Sequence, residues 1–120
     1  MESEILVVDD DPAVLKVMIK LLEAFGHKTI SASSGNEAMK LLESPNNIHF
    51  IITDMRMPLG DGLELLSFIK KSNLKIPTIL VTGFADIAEH EAIEKGAIAI
   101  LTKPFDIDKL MDLIDRNTKV

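Results

Sequence analysis

Residues 48–71 read IHFIITDMRMPLGDGLELLSFIKK, and this stretch decides the fold. Ile48 to Ile52 is a short apolar run, partly β-branched, with the composition of a strand buried on both faces. After the polar turn the period changes: from Asp61 to Lys71 the residues Leu65, Leu66 and Ile69 fall at helical intervals. A strand that runs straight into an acid, Asp54, and then into an amphipathic helix is one half of a strand-helix-strand unit.

The same unit recurs outward in both directions. Ile5 to Val8, Ile76 to Val81 and Ile98 to Leu101 are further short apolar runs, and Lys28 to Ala32 is a fifth strand placed by its position between two helical patterns. The first helix carries Val14, Met18, Leu21, Leu22 and Phe25 at spacings of three and four. Asp11 and Pro12 supply its start, and Gly26 its end. Ser34 to Leu42 presents Ala38, Leu41 and Leu42 on one face. Ala85 to Lys95 is closed by Gly96, and the last helix runs from about Asp106, a good cap, to Arg116 with the stripe Ile107, Leu110, Met111 and Ile114. Five alternations of strand and helix imply a parallel sheet covered on both faces, since parallel strands need crossover connections.

Composition narrows the function. A chain of 120 residues that is 47% hydrophobic holds one domain, over 1–120, with a real core. It has no cysteine, so disulfides, thiolate metal sites and cysteine nucleophiles are excluded, in keeping with a cytoplasmic setting. The start, MESEILVVDDDP, lacks the basic and long apolar regions of a secretory signal, and no run approaches the roughly 20 residues of a membrane helix. A formal net charge of −6 and 4% aromatic content, without tryptophan or tyrosine, argue against direct nucleic-acid binding. A protein partner is the expected target. His27, His49 and His90 are scattered and read as surface residues, while Met18, Met39 and Met111 sit at core spacing.

In open parallel sheets ligands bind beyond the carboxyl ends of the strands. There the first strand ends at Asp9, Asp10 and Asp11, the third at Asp54, the fourth at Thr82 and the fifth at Lys103. Carboxylates gathered at one edge repel unless a cation compensates, and an all-oxygen set suits Mg²⁺. An ionised carboxylate is also a nucleophile toward phosphorus, for which Lys103 and Thr82 are fitting helpers. Each residue alone has a plainer reading: Asp11 as a helix cap, Lys103 as a loop lysine, Thr82 as a strand residue. Their convergence at four strand ends favours a site.

The segments ILVVDDDP, IITDMRMPLGDGLELL, TILVTGFAD and ILTKPF resemble, in order and spacing, the receiver domains of bacterial two-component response regulators, across essentially the whole chain. The resemblance implies a flavodoxin-like (βα)5 sandwich with strand order 2-1-3-4-5. It implies Asp54 as phosphoacceptor, Thr82 as the switch hydroxyl and Lys103 as the lysine that ties to the acceptor. Mg²⁺ would be held by Asp9, Asp10, Asp54 and the backbone carbonyl of Arg56, and the Lys103–Pro104 bond would be cis. The implied donor is a histidine kinase or histidine phosphotransfer protein. The implied recipient is a downstream protein target or output domain, with phosphorylation-dependent pairing of two copies a further family habit. Such a domain is a switch rather than an enzyme, assisting only its own phosphorylation and slow dephosphorylation.

One departure is Ile100, where many receivers carry a tyrosine or phenylalanine whose inward swing follows the threonine. The helix with Asp86, Glu89, His90, Glu91 and Glu94 is thinly apolar, with Ile87 and Ile93 its large aliphatics, as suits a partner-facing element. Two other readings compete: a haloacid-dehalogenase-type phosphatase with Asp9 as nucleophile, which leaves Asp54 idle, and an unphosphorylated receiver-like scaffold. Arg56 and Phe84 flank the attacking water by the same resemblance, and neither offers a carboxylate or amide to orient it. Slow loss of the phosphoryl group is therefore expected, and Phe84→Glu should shorten its half-life; an unchanged half-life, followed by loss of the phosphorylated mass, would contradict this.

Overall fold

The computed structural model describes residues 4–83 and 88–118, with the backbone alone for residues 88 and 89. Strands and helices alternate throughout: β1 (Glu4–Val8), α1 (Pro12–Ala24), β2 (Lys28–Ala32), α2 (Gly35–Glu43), β3 (Ile48–Asp54), α3 (Gly62–Lys71), β4 (Thr78–Thr82), α4 (Ala88–Glu94), β5 (Ala99–Thr102) and α5 (Ile107–Thr118). The five strands form one sheet in the order β2-β1-β3-β4-β5, every pair parallel. This is the flavodoxin-like arrangement expected, with helices on both faces.

The apolar strands divide their side chains between two layers. Ile5, Val7, Phe50, Ile52, Ile79, Val81 and Leu101 pack with Met18 and Leu22 of α1 and Leu110 and Ile114 of α5. Leu6, Val8 and Ile51 pack instead with Ala38 and Leu42 of α2 and Leu65 and Ile69 of α3. Met55, Leu66, Leu80, Ala92 and Ala97 continue that second layer beneath α4, with Ile100 against them. Burial on both faces is why the strands read as continuous apolar runs rather than alternating ones.

Helix starts follow the polar residues that precede them. The side chains of Asp11, Ser34 and Asp61 accept from the backbone amides of Ala13, Glu37 and Glu64 at 2.9–3.1 Å, and Asp106 accepts from Asp108 at 2.9 Å. Each satisfies an amide that the helix itself leaves without a partner.

Some boundaries and faces differ from expectation. β4 begins at Thr78 rather than Ile76, because Pro77 has no amide to donate; its carbonyl accepts from Ile51 at 2.9 Å and the ladder starts from there. β3 runs on past Ile52 to Asp54, and β5 sits one residue later than predicted. Leu21 of α1 is exposed rather than inward, and so, at 53%, is Phe25, which caps the end of the helix. Met18 and Leu22 carry the contact; Leu21 lies about 100° round the helix from Leu22, outside the strip that the sheet can cover. His49 and His90 are exposed and His27 is half-buried, while Met18 is buried and Met39 and Met111 pack half-buried against the two layers. The predicted start of the fourth helix at Ala85, with Phe84, Asp86 and Ile87, lies outside the described residues.

Close backbone approach fixes the turn after β3. A Cβ at Gly62 would lie 2.6 Å from the carbonyl oxygen of Asp54 and 3.0 Å from Leu80, and the Gly62 amide donates to Met55 at 2.9 Å. The same turn touches α2, whose Gly35 and Asn36 amides donate to the carbonyls of Gly60 and Leu59 at 2.8 and 3.1 Å. Gly60, at φ +100°, adopts a conformation that side chains disfavour. Gly62→Ala should therefore cost about 1–3 kcal/mol, as overpacking of a filled site does, read as a lower urea midpoint with unchanged slope.

Candidate functional site

Strand register sets the site. Val8 pairs with Thr53, Asp54 with Val81, and Thr82 with Thr102. The next residue along β1 is thus Asp9, level with Asp54; Thr82 lies one beyond the partner of Asp54, and Lys103 one beyond the partner of Thr82. Four neighbouring strands deliver the four residues to one edge. The Lys103 amide donates to the Thr82 carbonyl at 2.7 Å, tying the ends of β4 and β5 together, and the Lys103–Pro104 bond is cis, as the resemblance implies.

The charged atoms meet there. Ligand oxygens of Asp9, Asp10 and Asp54 all lie within 4.8 Å of one another. The Lys103 ammonium stands 3.8 Å from a carboxylate oxygen of Asp9 and 3.8 Å from one of Asp54. Asp9 is 6% exposed and its other oxygen accepts from the Asp11 amide at 2.9 Å, which fixes the carboxylate in place. Asp10 is exposed, Thr82 is buried, and Arg56 lies exposed in the turn after β3. Asp11 turns its side chain to the Ala13 amide, so it caps α1.

Burial pushes the Asp54 carboxyl above its ordinary value of 3.8, and the negative charges of Asp9 and Asp10 push the same way. Lys103 and the backbone amide of Met55 oppose this without cancelling it. One ammonium among three carboxylates leaves net negative charge in a partly dry place, where a divalent cation would be well held. The donor set, all oxygen and mostly carboxylate, fits Mg²⁺.

Beside this edge the structure brings up something that spacing alone did not reveal. Val17, 59% exposed, and Leu21 join Ala13, Val14, Met18, Phe105 and the stem of Lys103 around a groove of ≈ 350 Å³. The signal was present in α1, where Val14, Leu15, Val17, Met18, Ile19, Leu21 and Leu22 spread over more of the helix than one inward stripe can use.

A buried carboxyl with a raised pKa binds its proton more tightly folded than unfolded. Stability is therefore lost as pH rises from the ordinary carboxylate range through the folded value. Without metal at neutral pH, Asp54→Asn should raise the thermal midpoint, and the gain should shrink as the pH falls through the raised folded value and be gone below the ordinary carboxylate range. Mg²⁺ should stabilise the native chain and do little for the variant; calorimetry with and without Mg²⁺ checks both.

The family model described as "Response regulator receiver domain" matches residues 5–115. The chain is 34% identical over 114 residues to the transcriptional regulatory protein GlrR of Escherichia coli, covering 94% of this chain and 26% of that protein. It is 37% identical over 111 residues to the DNA-binding transcriptional regulator NtrC of Klebsiella pneumoniae, covering 92% and 24%. It thus spans about a quarter of the length of these relatives. Among solved structures, a receiver domain from Clostridium thermocellum superposes with a TM-score of 0.88 at 34% identity, covering 96% of this chain and 93% of that one. The receiver domain of the Francisella response regulator 1452 does so at 0.87 and 31%, covering 96% and 95%. Sequence, strand order and the edge of carboxylates agree: the chain belongs to the response-regulator receiver domains of two-component signalling.

Proposed function

We propose that residues 1–120 act as one phosphoacceptor switch in which Asp54 takes a phosphoryl group from a phosphohistidine. The observation that carries this is the convergence of Asp9, Asp10 and Asp54 within 4.8 Å, with the Lys103 ammonium 3.8 Å from Asp54. In the reaction a carboxylate oxygen of Asp54 forms a bond to phosphorus as the phosphorus–nitrogen bond of the donor breaks, and the imidazole leaves. No general base is required, because the attacking group is a carboxylate rather than a hydroxyl that must lose a proton.

Asp9, Asp10, Asp54 and the carbonyl of Arg56 would hold Mg²⁺. When bound, the ion offsets negative charge on the phosphoryl oxygens. Lys103 then exchanges its distant contact with the Asp54 carboxylate for one with the phosphoryl group, and the Thr82 hydroxyl donates to a phosphoryl oxygen. Because the Lys103 amide is bonded to the Thr82 carbonyl, a shift of one strand end is felt by the other and by the start of α5. Ile100 packs half-buried with Ala92 and Leu80. Lacking an aromatic ring to swing, the switch works through strand ends and α4 rather than a side-chain rotor. The domain releases no product; its output is an altered surface read by a downstream protein, an output domain or a second copy, and it works in the cytoplasm. Among the described residues no helix is long and apolar enough to cross a membrane.

The donor docks on the groove of Val17, Leu21 and Phe105, because it adjoins Lys103 and leaves large apolar side chains uncovered. Small donors do not need that groove. Val17→Asp should slow transfer from a phosphorylated histidine protein by about tenfold or more, the effect of spoiling an interface anchor, and leave transfer from acetyl phosphate unchanged. Lys103→Ala should slow both. Rates of phosphoryl incorporation measured with both donors decide it: equal slowing of the two by Val17→Asp, or of neither, contradicts the docking surface, and an unaffected Lys103→Ala contradicts the site.

A further inference from the structure

At the opposite pole from Asp54, where the strands begin, a second groove of ≈ 440 Å³ opens between the ends of α3 and α4. Its walls are Leu66, Ile69, Leu74, Ile76, Pro77 and Ile98, and its rim carries Lys70, Lys75 and Lys95. Lys70 and Lys75 are exposed, and Ile98 is more than a third exposed. Lys95 donates to the Ser67 hydroxyl at 3.2 Å, which holds it over the groove. Among the described residues none of the three lysines forms an ion pair with a carboxylate.

The charge of this groove runs against that of the molecule. The chain has 19 aspartates and glutamates against 13 lysines and arginines, yet no acid lines the groove. Cations in the last turn of a helix offset its carbonyl end, which accounts for Lys70 at the end of α3. That leaves unexplained the uncovered aliphatic walls between the helices and Lys75, which belongs to a loop. From this combination we infer that the groove docks an acidic, leucine-rich segment of a partner protein, aliphatic side chains entering between Ile69 and Ile98 and flanking carboxylates meeting Lys70, Lys75 and Lys95. The volume falls in the range of pockets that take small ligands or a few side chains. The lining has no aromatic residue on which a base would stack, and its walls are apolar, so a peptide suits it better than a nucleic acid. Nothing in this assignment involves Asp54 or its phosphorylation.

The test uses the full chain, ¹⁵N-labelled, and a short peptide of alternating leucine and aspartate. Saturable shifts are expected at Ile69, Leu74, Ile76 and Ile98 and not at Asp54 or Lys103. The double variant Lys70→Glu with Lys75→Glu should weaken the affinity by about tenfold, whereas Lys16→Glu, an exposed lysine on α1, should leave it unchanged. Incorporation of phosphoryl from acetyl phosphate reports that the double variant is folded. The inference is overturned if the peptide causes no saturable shift there, if Lys16→Glu weakens binding as much as the double variant, or if a single-stranded oligonucleotide binds the groove in preference to the peptide.

Discussion

Three carboxylates held at one edge of a parallel sheet, with one ammonium between them, are the constraint on which the rest of this molecule turns. In a partly buried place like charges cost free energy that only a cation or a proton relieves. The fold nevertheless keeps them together, because the strand register that buries the apolar layers is the same register that levels Asp9 with Asp54 and sets Lys103 one residue beyond the partner of Thr82. A slip by one residue would turn every strand side chain to the other face, so the core defends the site. In the function proposed above, this edge of mutual repulsion is where a metal and a phosphoryl group would be received.

The surroundings make that repulsion tolerable. Asp9 is anchored by the Asp11 amide, and Asp54 is the last residue of a strand whose carbonyl rests against Gly62. The glycines of the following turn let it press on both α3 and α2, so the backbone beneath the acids has little freedom. On the other side, the bond between Lys103 and Thr82 gives the strand ends β4 and β5 a shared movement. For the switch proposed above, firm support under Asp54 and coupled strand ends beside it would supply a fixed place for the charge to arrive and a separate element that responds to it.

Much of this was legible in the residues. The alternation of apolar runs with helical spacing led to five parallel strands, the resemblance to receiver domains supplied the order in which they lie, and β2 occurs over the predicted Lys28 to Ala32 although its composition is weak. The site was legible because the strand-end rule gathers residues that lie far apart in sequence. Faces were harder. In α1 the helical period selects Val14, Met18, Leu21, Leu22 and Phe25 together, but the sheet covers only a strip, and which apolar residues remain outside depends on how the helix lies. The start of β4 turned on one missing amide at Pro77. The contact of Gly35 with Gly60 and the lysine-rimmed groove join segments from separate units, and no local pattern announces either.

In the proposed switch Asp54, and not another acid at this edge, receives the phosphoryl group. An acyl phosphate is reduced by borohydride to homoserine, so the native chain can be incubated with acetyl phosphate and Mg²⁺, reduced, digested and sequenced by mass spectrometry. Homoserine is expected at position 54, and only when Mg²⁺ and the donor are both present. Homoserine at position 9, as a phosphatase-like use of Asp9 would give, or no homoserine at any position, would contradict it.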